Sequence, residues 1–232
     1  MITADQQAMK KAAAEKAVND YVRDGMTVGL GTGSTAYYAI LRVGELVKQG
    51  FKLRCVATSV ATEELARECG LKIVQLNEVD HVDVTIDGAD EIDPNLQLIK
   101  GLGGALLREK IVAAASVMEV IVADESKLVS HLGEKAPLPV EVVMYGHLRT
   151  ANGLKRQNCE PVLRMQGSEP FITDSGNLIY DCRFPEIRSP FFLESAIDTI
   201  PGVVENGLFL NRATAAIISH RDGTVTEMQR PS

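Results

Sequence analysis

The residues of this chain best suited by type and spacing to chemistry lie between positions 87 and 110. Four carboxylates stand close together there, a lysine follows before a glycine-rich turn, and a further glutamate comes after the turn. In chain order these side chains are Asp87, Asp90, Glu91, Asp93, Lys100 and Glu109. A carboxylate that is shielded from water takes up a proton near neutral pH, and a lysine stabilises a developing negative charge. The stretch therefore predicts proton-transfer chemistry on a small ligand.

A strand must position Asp87 and Asp90, because residues 82–86 are rich in β-branched side chains and alternate between apolar and polar types. The two carboxylates would then follow the carboxyl end of that strand, which is where α/β folds bind their ligands. Turn chemistry alone explains Asp93, which is followed by proline and asparagine. A turn does not require the pair Asp87 and Asp90, so we interpret these two as site residues.

A helix must position Glu109, because the residues after the glycine-rich turn have helical periodicity. The small, mainly apolar residues on the same stripe of that helix are Ala105, Val112, Ala113 and Ser116. Against such a face the Glu109 carboxylate would lose hydration and serve as a proton acceptor near neutral pH. The alternative is a solvated glutamate between its basic neighbours, Arg108 and Lys110.

A second candidate site is the turn Gly31-Thr32-Gly33-Ser34-Thr35-Ala36, which follows a predicted strand and opens a helix. Such a turn presents free backbone N–H groups and the positive end of a helix dipole, which suits a phosphate or a carboxylate. The dinucleotide fingerprint would need glycine in place of Ser34, and the Walker A motif would need a Gly-Lys pair, so neither motif is met. The turn predicts a site for one anionic group, and a purely structural glycine turn is the alternative.

Composition narrows the class of protein. The 232 residues are 45% hydrophobic and carry a formal net charge of −7, which provides for a sizeable core and argues against a nucleic-acid surface. Residues 1–16 lack the apolar run of a signal peptide, and the longest apolar run, 111–123, is interrupted and too short to span a bilayer. We expect a cytoplasmic protein with reduced thiols that binds neither nucleic acid nor membranes.

The residue types that ligate metals show no metal-binding spacing. The cysteines and histidines, which form neither C-x-x-C nor H-E-x-x-H patterns, are Cys55, Cys69, Cys159, Cys182, His81, His131, His147 and His220. A calcium loop starting at Asp87 would need glycine at its sixth position and glutamate at its twelfth, where Leu98 stands. We therefore expect no metal site.

Strands and helices alternate through the first half of the chain, which predicts βαβ units around a mainly parallel sheet. The expected strands are 27–30, 53–58, 72–76, 82–86 and 117–123, and the expected helices are 3–23, 36–49, 59–69 and 104–115. Right-handed crossovers would bring the strand ends at Leu30, Ile86 and Val122 to one edge of the sheet. Polar residues follow each of these ends, so the edge is the predicted site.

The pattern changes to mixed α+β after residue 130. The predicted elements are strands at 140–144, 162–165, 171–173 and 178–180 and helices at 147–158 and 191–200, before apolar strands return at 203–210 and 215–219. The segment Asp174-Ser175-Gly176-Asn177 is typical of a hairpin turn. We therefore predict a main α/β domain made of residues 1–130 and 204–232, with residues 131–203 as a smaller inserted α+β lid domain.

Taken together and in this order, the motifs resemble those of type A ribose-5-phosphate isomerases of the pentose phosphate pathway, and the resemblance covers nearly the whole chain. The segments that carry it are the turn 31–36, Asp87-Gly88-Ala89-Asp90-Glu91, the stretch 100–110, Ala123-Asp124-Glu125-Ser126-Lys127, Pro137-Leu138-Pro139-Val140-Glu141-Val142 and Ile200-Pro201-Gly202-Val203-Val204. Leu102 departs from the pattern, because members often have glycine or a small residue there.

The resemblance implies an aldose–ketose isomerase that interconverts ribose 5-phosphate and ribulose 5-phosphate through an enediolate. It makes Glu109 the general base and places Asp87, Asp90 and Lys100 around the reacting end of the sugar. The substrate-binding residues that it implies are Thr32, Gly33, Ser34, Thr35, Asp87, Gly88, Ala89, Asp90, Lys100, Gly101, Leu102, Gly103 and Lys127. It also implies a Rossmann-like main domain, homodimers or homotetramers, and no metal or organic cofactor.

Two other functions would use a similar fold. One is a non-catalytic sugar-phosphate sensor, as in the effector domains of some transcription regulators, but such a protein needs a DNA-binding segment and this chain is acidic. The other is a related sugar-phosphate enzyme, such as an amino-sugar-phosphate deaminase or a transferase. The related enzyme would use the same sheet edge with different residues.

Overall fold

The computed structural model describes residues 4–230. They form two compact units: the first comprises residues 4–89, 108–128 and 212–230, and the second comprises residues 90–107 and 129–211. The second unit contains the predicted lid segment 131–203 and differs from it mainly by including 90–107 and 204–211. These two segments go together because Leu208 and Phe209 pair with Ile99 and Leu98 in a small sheet. The lid role of residues 131–203 stays a prediction.

Helices and strands alternate along the described chain. The helices are α1 (Ala4–Tyr21), α2 (Ala36–Lys48), α3 (Val60–Glu68), α4 (Leu106–Ala114), α5 (His147–Lys155) and α6 (Pro190–Asp198). The strands are β1 (Thr27–Leu30), β2 (Arg54–Ala57), β3 (Val82–Asp87), β4 (Glu91–Ile92), β5 (Leu98–Ile99), β6 (Ser116–Asp124), β7 (Leu138–Val142), β8 (Glu160–Leu163), β9 (Met165–Gln166), β10 (Glu169–Pro170), β11 (Leu178–Arg183), β12 (Val203–Asn206), β13 (Leu208–Phe209), β14 (Ala215–Ser219) and β15 (Val225–Gln229). None of the helices within residues 4–230 has both the length and the apolar content needed to cross a membrane.

The first unit is organised around a sheet with the strand order β15-β14-β6-β3-β1-β2. Its strands pair in parallel except for β15, which is antiparallel to β14. Because Leu30 is in register with Ile86, and Asp87 with Ile121, the carboxyl ends of β1, β3 and β6 lie at the same edge. The predictions of a mainly parallel α/β sheet and of this shared edge are confirmed.

Apolar faces of α1 and α2 cover this sheet. On α2 the buried residues recur every three or four positions, which is the period that turns one helix face to a core: Ala36, Ala39, Ile40, Val43 and Leu46. On α1 the buried residues are small, Ala13, Ala14 and Ala17 together with Val18, so this helix packs closely on β6 and β14. Each large aliphatic side chain buried in this way contributes roughly 1.5–3 kcal/mol.

The second unit contains small antiparallel sheets. One has the strand order β12-β7-β11-β8, another β13-β5-β4, and β9 pairs with β10 in a short ribbon. A separate apolar core stabilises this unit, with Val140, Val142, Leu154 and Ile197 among its fully buried members. The second unit therefore has its own hydrophobic core, which agrees with the division of the chain into two units.

Several predicted elements differ from the structure. The expected strand 72–76 is reduced to a single bridge between Ile73 and Cys55, followed by a 3₁₀ helix over Leu76–Glu78. The expected strand 171–173 does not form, and Thr173 instead belongs to the turn that follows, with its N–H donating to the carbonyl of Asn177. The predicted helix 3–23 is observed as α1, and residue 3 lies outside the described residues.

Candidate active site

In the first unit, the glycine turn after β1 orients Asp87 at the end of β3. The N–H of Gly31 bonds to the carbonyl of Ile86 (3.0 Å), and the Thr32 N–H donates to Asp87 Oδ1 (3.1 Å). The Gly88 N–H donates to the same oxygen (2.7 Å). A Cβ on Gly31 would lie 2.1 Å from Asp87 Oδ1 and 2.5 Å from its Cα, so only glycine permits this approach. Asp87 is therefore a fully buried carboxylate held by backbone donors.

A hydroxyl network that the sequence did not predict surrounds Thr32. The Thr32 hydroxyl donates to Ser59 Oγ (2.9 Å), Ser59 donates to Thr62 Oγ1 (3.0 Å), and Thr62 donates to the carbonyl of Gly31 (2.9 Å). Thr58 Oγ1 lies 2.8 Å from Thr32 Oγ1. These hydrogen bonds fix the orientation of the Thr32 side chain. The polar residues that follow β2 were the signal in the sequence for it.

The rest of the turn is accessible. Gly33 has a φ of +113°, a conformation that favours glycine, and both Gly33 and Ser34 are exposed. Lys10 on α1 donates from Nζ to Ser34 Oγ (2.8 Å), a contact that sequence spacing does not reveal. Lys127 ends the 3₁₀ helix that follows β6 at the same sheet edge. The first unit thus brings the predicted residues 32–35 and Lys127 to one edge and adds Lys10.

Glu109 lies on α4, and its side chain is 5% exposed. Val112 and Ala113, which we placed on the same stripe, are buried as well. The prediction that Glu109 is shielded from water is confirmed, and the solvated alternative is wrong. A carboxylate withdrawn from water in this way is suited to accept a proton from a bound ligand. Its role as the base stays a prediction.

The second unit holds Lys100 at the end of β5. Its side chain is 2% exposed, and Nζ lies 5.2 Å from the centroid of the Phe209 ring, a cation–π contact. Its backbone N–H donates to the carbonyl of Gly207 (2.9 Å). A Cβ on Gly207 would lie 2.3 Å from the carbonyl oxygen of Lys100, so glycine is required there. Lys100 is therefore a buried cation on a closely packed backbone.

The glycine turn after Lys100 contacts Asp90 in the same unit. The Leu102 N–H donates to Asp90 Oδ2 (2.9 Å), and the Gly104 N–H donates to the carbonyl of Gly101 (3.0 Å). Gly101 and Gly104 have positive φ values of +107° and +83°, whereas Leu102 does not. The turn therefore accommodates leucine at 102 without backbone strain, and the Leu102 side chain is 43% exposed.

Two other carboxylates of the predicted stretch have structural roles. Glu91 is fully buried and accepts the N–H groups of Gly133, Lys135 and Ala136, each at 2.6 Å. Asp93 accepts the N–H groups of Asn95 and Gln97, each at 2.8 Å, as its turn interpretation predicted. Within residues 4–230, no group of three or more His, Cys, Asp or Glu side chains is placed to hold a metal ion.

Comparison with known proteins identifies the family. The family described as "Ribose 5-phosphate isomerase A (phosphoriboisomerase A)" matches residues 54–223. A ribose-5-phosphate isomerase A of Bacillus mycoides is 51% identical over 93% of this chain and 97% of its own length.

Solved structures agree with this match over the same length. A ribose 5-phosphate isomerase from Plasmodium falciparum superposes with a TM-score of 0.95 at 41% identity, covering 97% of this chain and 100% of that one. A D-ribose-5-phosphate isomerase in complex with phospho-erythronic acid has a TM-score of 0.93 at 42% identity, covering 97% and 99%. Since the matched length includes the strand-end carboxylates, the glycine turns and the buried glutamate, the chain belongs to the ribose 5-phosphate isomerase A family.

Proposed function

We propose that this chain interconverts ribose 5-phosphate and ribulose 5-phosphate by proton transfer through an enediolate, with Glu109 as the base. The observation that carries the mechanism is the burial of Glu109 in a chain of this family. A relative whose structure is solved in complex with phospho-erythronic acid supports the ligand class, because that compound is a phosphorylated sugar acid.

The proposed reaction moves one proton between neighbouring carbons. The Glu109 carboxylate removes the proton from C2 of the open-chain aldose, and the electron pair moves onto the C1 carbonyl oxygen to give the enediolate. Glu109 then returns the proton to C1, while the hydroxyl proton on O2 passes to O1 and leaves the C2 ketone. Lys100 stabilises the negative charge that develops on oxygen. A positioned base supplies roughly 10²–10⁴ in rate, so charge stabilisation and binding must supply the remainder.

Ring opening calls for a second proton carrier, because an aldopentose 5-phosphate in water is mainly a cyclic hemiacetal and the reaction needs the open-chain aldehyde. We assign this step to the pair Asp87 and Asp90, because Asp87 ends β3 and Asp90 follows three residues later, and a carboxylate can carry a proton between two oxygen atoms of a bound sugar. Asp87 is held by the N–H groups of Thr32 and Gly88, and Asp90 by that of Leu102. One carboxylate of the pair moves the proton between the ring oxygen and the anomeric hydroxyl.

The phosphate group is assigned to the turn at Ser34 and Thr35, with Lys127 and Lys10 supplying positive charge. Lys10 already contacts Ser34 through its ammonium group (2.8 Å). A local cluster of cations is needed, because the whole chain carries a net charge of −7 and would otherwise repel a dianion. The remaining parts of the proposal are a cytoplasmic homodimer or homotetramer that needs no cofactor and binds neither nucleic acid nor membranes.

The test is to incubate the purified protein with ribose 5-phosphate and to follow ketose formation, with and without exhaustive EDTA treatment. We expect turnover that is unchanged by the chelator. Binding of ribose 5-phosphate without ketose formation would favour the sensor alternative. Activity that is lost with EDTA and restored by Mg²⁺ or Zn²⁺ would contradict the metal-free mechanism.

A further inference from the structure

One arginine of the second unit, Arg164, is held in a fixed orientation by an aspartate on the neighbouring strand. Arg164 lies between β8 and β9, and its Nε donates to Asp181 Oδ2 (2.9 Å) while Nη2 donates to Asp181 Oδ1. The side chains of the pair are 13% and 23% exposed. A two-point contact between a planar guanidinium and a carboxylate fixes the direction of the remaining N–H donors.

The remaining arm of Arg164 reaches the glycine turn that follows Lys100. Its Nη1 donates to the carbonyl oxygens of Gly101 (2.9 Å) and Leu102 (3.1 Å). The N–H of the Gly101–Leu102 peptide donates in turn to Asp90 Oδ2 (2.9 Å). The same peptide plane is therefore held at its carbonyl by Arg164 and at its N–H by Asp90.

Phe171 packs against Arg164 and against the same glycine turn. Its ring centroid lies 5.9 Å from Arg164 Cζ, and its N–H donates to the carbonyl of Arg164 (2.9 Å). A Cβ on Gly104 would lie 2.4 Å from the Phe171 ring, so the ring occupies the space that glycine leaves open. Both ends of the turn 101–104 thus pack against one group formed by Arg164, Asp181 and Phe171.

We propose that Arg164, oriented by Asp181, is a positioning residue for the isomerase reaction. By fixing the Gly101–Leu102 peptide it sets the position of the Asp90 carboxylate and of the backbone that carries Lys100. The inference rests on the proposed function, since it names what holds two residues of that site. Lysine would not replace Arg164, because an ammonium group lacks the planar fork that engages Asp181 and two carbonyls together.

The test compares Arg164→Ala with Arg183→Ala, a matched control on β11 whose side chain is exposed. We expect kcat of Arg164→Ala to fall roughly 10- to 100-fold, because small misplacements of reacting groups have effects of that size. KM should change little, since the residues assigned to the phosphate are untouched. Arg164→Lys should be impaired to a similar degree, and Arg183→Ala should match the wild type.

Two further readouts separate positioning from general stability. Guanidinium ion, added far below unfolding concentrations, should raise kcat of Arg164→Ala and leave Arg183→Ala unchanged. Guanidinium ion destabilises folded proteins, so an increase in kcat would come from its binding in place of the missing Arg164 side chain and not from greater stability. In hydrogen exchange, the Leu102 amide should lose protection in Arg164→Ala and keep it in Arg183→Ala.

The outcomes that overturn this inference differ from those that overturn the proposed function. A folded Arg164→Ala protein with wild-type kcat and wild-type Leu102 protection contradicts the positioning role. A wild-type protein that does not isomerise ribose 5-phosphate contradicts the proposed function. If the wild-type protein does not isomerise the sugar, hydrogen exchange still tests the contact. Equal protection of the Leu102 amide in the wild type and in Arg164→Ala would then show that Arg164 does not hold the turn.

Discussion

At the scale of single residues, two buried glutamates illustrate how surroundings decide the role of a side chain. Glu91 accepts three backbone N–H groups, so its carboxylate is committed to holding the chain at residues 133–136. Glu109 is also buried, on the helix α4 whose Val112 and Ala113 are buried as well. Taking up a proton would cost Glu91 hydrogen bonds to the backbone, so Glu91 is not suited to act as a base.

We predict that Glu91→Gln destabilises the protein, although the two side chains are nearly the same size. A glutamine has one acceptor oxygen, so its NH₂ group would face a backbone N–H that Glu91 now satisfies. The free energy of unfolding should fall by roughly 2 kcal/mol or more, the effect of leaving a buried donor unsatisfied. Urea unfolding measures it, and Glu64→Gln, at an exposed position on α3, is the control. Equal stability of the two variants would show that the three hydrogen bonds contribute little.

The sequence identified charged residues that the structure shows to be buried, but it did not identify the contacts that hold the proposed site in place. Asp87, Lys100 and Glu109 were identifiable because charge at a strand end or on an apolar helix face is unusual. Lys10 and Arg164 were not, because each is distant in sequence from the residue it contacts, and the polar residues that follow β2, Ser59 among them, did not reveal that Thr32 is their partner. No local pattern encodes such contacts, which depend on the tertiary fold.

At the scale of secondary structure elements, the approach of β1 to β3 depends on glycine at position 31. We predict that Gly31→Ala lowers kcat at least roughly tenfold, because the added Cβ would displace Asp87 from its backbone donors. The matched control is Gly50→Ala: Gly50 has a φ of +106° and open space around it, so alanine there strains the backbone by roughly 1–2 kcal/mol without touching the site. Steady-state kinetics on the folded variants should show the lower kcat in Gly31→Ala and not in Gly50→Ala. Wild-type kcat in Gly31→Ala would contradict the role of this close approach.

A second prediction at this scale concerns the contact between α1 and β15. Burial, together with a hydrogen bond to Glu227 Oε1 (2.9 Å), raises the pKa of Tyr21 to about 12 from its ordinary value of 10.0. Between these values the folded protein keeps a proton that the unfolded chain releases, so its stability falls as the pH rises. The loss in unfolding free energy from about pH 8 to about pH 11 should be larger for the wild type than for Tyr21→Phe. An equal loss in both proteins would contradict this linkage.

The longer elements were predictable from periodicity, and the shortest were not. The strands β1, β3 and β6 and the helix α2 follow clear apolar patterns. The strands β4 and β5 have two residues each, which is too few to show a period. They form because Glu91 pairs with Ile99 and Ile92 pairs with Leu98. Their pairing depends on the rest of the second unit.

At the scale of the whole molecule, an acidic chain must bind a doubly charged phosphate through a few local cations. We predict that Lys127→Met lowers kcat/KM for ribose 5-phosphate roughly tenfold or more, the size of a lost charge-assisted hydrogen bond. It should leave the much weaker conversion of unphosphorylated ribose unchanged. Lys155→Met, at an exposed position on α5, is the control. Equal kcat/KM of the wild type for ribose and ribose 5-phosphate would contradict a phosphate site.

The proposed removal of the C2 proton by Glu109 can be followed in heavy water, because the abstracted hydrogen is then replaced by deuterium or carried to C1. NMR follows the rate at which the C2 hydrogen of ribose 5-phosphate is exchanged for deuterium or transferred to C1. Glu109→Gln should keep the fold, because the amide is nearly isosteric and has a similar helix propensity. We expect this rate to fall by roughly 10² or more in Glu109→Gln and to stay at the wild-type value in Glu64→Gln. Loss of the C2 hydrogen at the wild-type rate in Glu109→Gln would contradict the role of Glu109 and leave Asp87 or Asp90 as the base.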